Sequence, residues 1–153
     1  RVSPRHLDST CTFVSKVLDI GLGLSHGALI AVCSGQSLPS CLSDGIVLQE
    51  PIDFARMVSA AIKGHGSDLE ASDNLAGAAT LLRGMLSCDG IVVFTNDAKL
   101  IGFNCFIQLT RSGGKGLVGG ARKRAFVALS SKIPRQFLAC FLRSQDGLTE
   151  FRS

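Results

Sequence analysis

The run "HGALIAVC", residues 26–33, constrains the fold more than any other stretch of the chain. It is short and almost wholly apolar, without the alternation of a strand that faces water on one side. A strand of that kind is buried on both faces, so it lies centrally in a sheet covered by helices. The segments around it supply such a frame. In "STCTFVSKVLDI", residues 9–20, Phe13, Val14, Val17 and Leu18 recur at helical intervals behind a Ser/Thr cap, and Gly21 with Gly23 is expected to end the helix. "SGQSLPSCLSD" reads as a loop and "GIVLQ" as a second strand. Pro51 is expected at the first position of a helix, "PIDFARMVSAAIK", closed by "GHGSD".

"ASDNLAGAATLLRGMLS" supplies the next helix, with Leu75, Ala79, Leu82 and Met85 on one side. "DGIVVFT" and "KLIGFNCFIQL", joined tightly at Asn96-Asp97, predict an antiparallel hairpin. The Gly-rich loop "TRSGGKGLVGG" then leads into a basic helix, and "FLACFLR" with "LTEFR" closes the chain as a hairpin around "SQDG". The expected order is αββααββαββ, an α/β fold with a mixed central β-sheet flanked by helices. "DGIV" occurs at Asp44 and again at Asp89, an echo read as coincidence.

A chain of 153 residues with 46% apolar side chains suits one domain with one sizeable core, so residues 1–153 read as a single unit. Its first residue is Arg rather than Met, the expectation for a piece of a longer polypeptide with further fused domains. No apolar run reaches the roughly 20 residues of a membrane span, and "RVSPRHLDST" is not a signal peptide, so a cytoplasmic protein without membrane association is expected. The six cysteines form no C-x-x-C pair and mostly sit in apolar segments, which favours buried free thiols over disulfides. His6, His26 and His65 have no ligand spacing with them, so zinc is not expected.

Charge is segregated. Lys99 to Arg143 holds nine of the sixteen basic residues and no Asp or Glu, which suggests a polyanion or a phosphorylated ligand, or else a solvated face balanced by the acidic remainder. Within this region "GGARKRAF" puts Arg122, Lys123 and Arg124 in the first turn of a helix, the end whose dipole and unsatisfied N–H groups favour anions. A polyphosphate would resolve the conflict: Gly119 and Gly120 let it approach the backbone, Arg122 and Arg124 add forked donors, and Lys123 a point charge. Asp89, before Gly90 and an apolar strand, reads either as a turn residue or as a carboxylate for Mg²⁺ or Mn²⁺ at the sheet rim. "RSQDG" reads as a hairpin turn in which Asp146 could be a second acidic ligand. Trp and Tyr are absent and most of the nine Phe fall in strands, so a stacking platform for nucleic acid is poorly supplied.

Taken in order, Asp89-Gly90-Ile91, Gly120-Ala121-Arg122-Lys123-Arg124-Ala125 and Ser144-Gln145-Asp146-Gly147 resemble the motifs of the diadenylate cyclase (DAC) domain family. That family has D-G-A at a strand start, G-T-R-H-R-A after a glycine-containing loop, and a Ser-Glu type turn after a closing strand. The resemblance covers about Leu75 to Phe151. It implies a mixed-sheet α/β domain that binds ATP or cyclic di-AMP. In active members, two such domains meet face to face and condense two ATP to cyclic di-AMP and pyrophosphate with a divalent metal, which implies a homo-oligomer. Asp89 matches the catalytic, metal-binding aspartate, and Arg122 and Arg124 the triphosphate contacts, with Gly90, Lys123 and Ser144 in the same motifs. Departures are Lys123 for histidine, Ala121 for threonine, Ile91 for alanine, and Gln145-Asp146 for the acidic pair. Lysine still binds phosphate but with different geometry, so nucleotide sensing is expected ahead of efficient cyclisation.

Overall fold

Why the apolar run becomes a central strand is visible in its side-chain alternation. The computed structural model of the chain describes residues 4–64, 68–108 and 120–153. The run forms β1 (Ala28–Cys33), after α1 (Pro4–Leu24). Next come β2 (Leu42–Ser43), β3 (Ile46–Asp53), α2 (Phe54–Lys63) and α3 (Leu69–Leu86). β4 (Ile91–Thr95), β5 (Lys99–Ile107), α4 (Ala121–Ser130), β6 (Phe137–Arg143) and β7 (Thr149–Arg152) complete the described order. Leu29, Ala31 and Cys33 point into a core closed by Phe126 and Leu129 of α4. Ala28 and Ile30 point into a second core closed by Val17, Phe54 and Leu82 of α1, α2 and α3. Each large apolar side chain so buried contributes about 1.5–3 kcal/mol.

The result is an α/β fold: a mixed seven-stranded sheet with four helices among the described residues, three on one face and α4 on the other. The strand order is β2-β5-β4-β1-β6-β7, with β3 also paired to β5. β1 and β4 run parallel and every other pair is antiparallel.

Three local expectations are corrected. α1 continues through Gly21 to Leu24, because the missing side chain lets α1 approach α3 closely: a Cβ on Gly21 would lie 2.7 Å from Leu86 Cδ1. Pro51 does not open α2. It lies in edge strand β3, in the irregular stretch of the β3–β5 ladder between Val47 and Ile52, where its missing N–H is tolerated. Asp53 caps the helix instead, its carboxylate accepting the Arg56 N–H at 2.8 Å. The loop expected over residues 34–44 contains β2, whose buried Leu42 pairs with Ile107.

The repeated "DGIV" also acquires a common cause. Gly45 and Gly90 both press their backbones against β5 at Asn104 and Cys105, where a Cβ on either would come within 3 Å of main-chain atoms. The Gly-rich loop, apart from Gly120, lies outside the described residues.

Candidate functional site

One end of the sheet collects the starts of the parallel strands β1 and β4, the end of β6 and the first turn of α4. The strand registers dictate this, since Leu29 pairs with Ile91 and Ala28 with Arg143. Each parallel strand is entered through a glycine at positive φ, Gly27 at 111° and Gly90 at 92°. Such a backbone turns sharply and suits only glycine at low cost. Space is also short: a Cβ on Gly27 would lie 2.9 Å from the Arg143 carbonyl oxygen and 3.1 Å from Arg122 Nη1.

Arg122 joins the two entry loops. Its Nη2 donates to Asp89 Oδ1 at 2.7 Å and its Nη1 to the His26 carbonyl at 3.1 Å. The two residues come from separate motifs and meet at the sheet rim. Asp89 leaves 83% of its side chain exposed, so its carboxylate keeps lone pairs open to solvent, a cation or a ligand hydroxyl. Gly90 is held by the backbone of β5, and the exposed aromatic Phe106 follows the residues it packs against.

The other candidate residues divide. Gly120 is the N-cap of α4 and brings no side chain to its N–H groups. Lys123 pairs with Glu150 of β7 and lies 5.7 Å from the centroid of the Phe126 ring. It is thus directed away from the Asp89–Arg122 pair. Arg124 is half-buried, its N–H donating to the Gly120 carbonyl at 3.1 Å. Ser144 closes the β6–β7 turn, its N–H donating to the Leu148 carbonyl at 2.8 Å and its Oγ accepting the Leu148 N–H at 3.1 Å. Asp146 is exposed in that turn. Gly119 lies outside the described residues. No group of three or more His, Cys, Asp or Glu able to hold a metal forms among the described residues.

Two contributors escape a reading of motifs alone. The His26 carbonyl fixes the Arg122 fork, and Glu150 neutralises Lys123. The signal for the first was a glycine directly before a buried strand, a pattern that Gly27 shares with Gly90. Glu150 carries no such signal in the sequence.

A second polar cluster occupies the opposite end of β4. Asp97 is hydrogen-bonded by buried Thr95 and by Gln36, and pairs with Lys99 at 2.7 Å. The Lys99 ammonium and the Thr95 hydroxyl hold its carboxyl at about 2, below the ordinary carboxylate range. In the core, burial pushes the Cys105 thiol up to about 11, and all six cysteines are free thiols.

No protein-family model and no curated protein matches the chain. Among solved structures the fold is similar to that of a hypothetical membrane spanning protein from Bacillus cereus, with a TM-score of 0.58 and 20% identity. The likeness covers 93% of this chain and 58% of that protein, so the chain spans less than two thirds of its length. At this identity the likeness shows the fold alone. No helix among the described residues is long and apolar enough to cross a membrane.

Proposed function

We propose that the chain is a nucleotide-binding domain of the diadenylate cyclase type, taking ATP or cyclic di-AMP as a sensor in the cytoplasm. The observation that carries this reading is the meeting of Asp89 and Arg122 at 2.7 Å. Each belongs to one of the motifs that resemble the family, and they converge beside an uncapped helix start and two crowded glycines. A phosphate arriving there finds the forked donors of Arg122 and the N–H groups of α4.

Arg122 has to share its fork between Asp89 and the incoming phosphate. Lys123 has to leave Glu150 before it can contribute. Both rearrangements favour binding over the strict positioning that a condensation demands, since a displacement of about 1 Å costs on the order of a hundredfold in rate.

Calorimetry with ATP and cyclic di-AMP tests the reading. The expected result is binding by the wild-type chain, weakened at least about tenfold in the Arg122→Ala, Arg124→Ala double variant, with thermal unfolding still cooperative. Absence of binding to any nucleotide would overturn it.

A second reading, an active cyclase, is favoured by the exposure of Asp89. One open carboxylate fits Mg²⁺ or Mn²⁺, which are held by one or two carboxylates together with phosphate oxygens and water. Asp89 would hold the ion, with Asp146 the second candidate. The bound metal would supply charge stabilisation at the phosphate, while Arg122 orients the phosphate and α4 donates N–H groups. Cyclic di-AMP formed from ATP with Mn²⁺, and lost in Asp89→Asn, would promote this reading over the sensor.

A further inference from the structure

The two edges of the sheet are built differently. One is divided between β2 and β3, its ladder to β5 is interrupted between Val47 and Ile52, and Pro51 within that interruption removes a backbone donor. Splitting, irregularity and proline are among the means by which sheet edges avoid accepting another strand, beside shortness and charged side chains. The opposite edge is β7, Thr149–Arg152, which is short and carries the charges of Glu150 and Arg152 but is neither split, irregular nor interrupted by proline. It contains neither Pro nor Lys, and its ladder to β6 runs from Arg143↔Thr149 to Cys140↔Arg152 without a register shift. No further strand lies beside it among the described residues.

The side chains of β7 alternate between faces. Glu150 lies on the α4 face, where it meets Lys123. Arg152 shares that face, since it pairs in register with Cys140, a member of the core under α4. Phe151 falls on the other face, paired in register with Phe141, and 58% of it is exposed. An exposed phenylalanine at the centre of a regular, unpaired edge is an invitation to strand addition.

We infer that β7 pairs antiparallel with β7 of a second copy of this chain, in a register centred on Phe151. The sequence Glu-Phe-Arg is complementary to itself when read antiparallel. Glu150 then faces Arg152 of the second copy at both symmetry-related positions, and the two Phe151 rings face each other. A two-fold interface of this kind needs no third chain, and the sheet continues from one copy into the next. On the α4 face each Glu150 lies between Lys123 of its own chain and Arg152 of the other. The ladder is short, so association is weak and depends on concentration.

The inference is independent of nucleotide binding and is tested by charge complementation. Sedimentation equilibrium of the 153-residue chain should give a monomer–dimer equilibrium. Arg152→Glu alone and Glu150→Lys alone should each weaken it by about tenfold or more, because opposite-charge pairs become like-charge pairs at both positions. An equimolar mixture of the two variants should restore association, since every facing pair then joins opposite charges. A wild-type chain that stays monomeric up to about 1 mM, variants that associate like the wild type, or a mixture that stays monomeric would each overturn the inference. If Glu150→Lys does not fold, amide exchange in the wild-type chain decides. Protection of residues 149–152 should rise with protein concentration, and dimerisation without that rise would overturn the proposal.

Discussion

Asp97 and Asp89 are both exposed carboxylates that face a cation, yet their neighbours give them different work. Asp97 is locked by Lys99, Thr95 and Gln36, and its pKa falls from the ordinary 3.8 to about 2. A carboxyl whose folded value is depressed adds stability above its unfolded value, and that contribution is lost as pH falls through the folded one. Asp97→Asn should therefore lower the thermal midpoint at neutral pH, and the difference from wild type should shrink below about pH 4 and vanish near pH 2. Thermal melts across that range measure it. Asp89 pairs with Arg122 and, with most of its side chain exposed, remains open to a ligand. Both Asp89 and Arg122 were legible in the sequence because each breaks a local habit: a cation at a helix N-terminus, a carboxylate leading into a buried strand. Lys123 was legible as a cation but its direction was not, since Glu150 reaches it from another element.

At the level of elements, the glycines that enter β1 and β4 set how closely the strands can approach the loops around them. Gly90→Ala would force a side chain onto a backbone at φ 92° and place its Cβ 2.8 Å from the Asn104 carbonyl carbon. The expected cost is about 1–3 kcal/mol, read by denaturant unfolding. Gly35→Ala, with nothing within 4 Å, is the control and should stay within about 0.5 kcal/mol of wild type. The same distinction explains what could be read in advance. Helical periodicity in α1 and the apolar run of β1 reflect burial that is written locally. The continuation of α1 through Gly21 depends on Leu86, and the place of Pro51 depends on the irregular pairing with β5, neither of which is local. β2 is two residues long and exists only because β5 offers it an edge.

Over the whole molecule, half of the thiols are sequestered in one place, the core under α4. Cys33, Cys105 and Cys140 are buried and burial raises their pKa values, whereas Cys11 and Cys88 are exposed. Because the thiolate is the reactive form, iodoacetamide at pH 8 should modify Cys11 and Cys88 first, Cys41 more slowly, and all six only after denaturation, as counted by intact mass. Adding a reductant should leave the thermal midpoint unchanged, there being no cross-link to break. The sheet order has a further consequence, one for biosynthesis. β1 is flanked by β4 and β6, so the most apolar strand of the protein leaves the ribosome long before either neighbour has been made. Until β6 emerges, one side of β1 has no ladder, and closing so long a loop is slow. A chain that stops after Lys132 should remain unfolded, its β1 and β4 amides unprotected in hydrogen exchange. In the cell the nascent "ALIAVC" segment then waits, exposed, for the last hairpin to be translated, which makes it the place for a holding chaperone to bind.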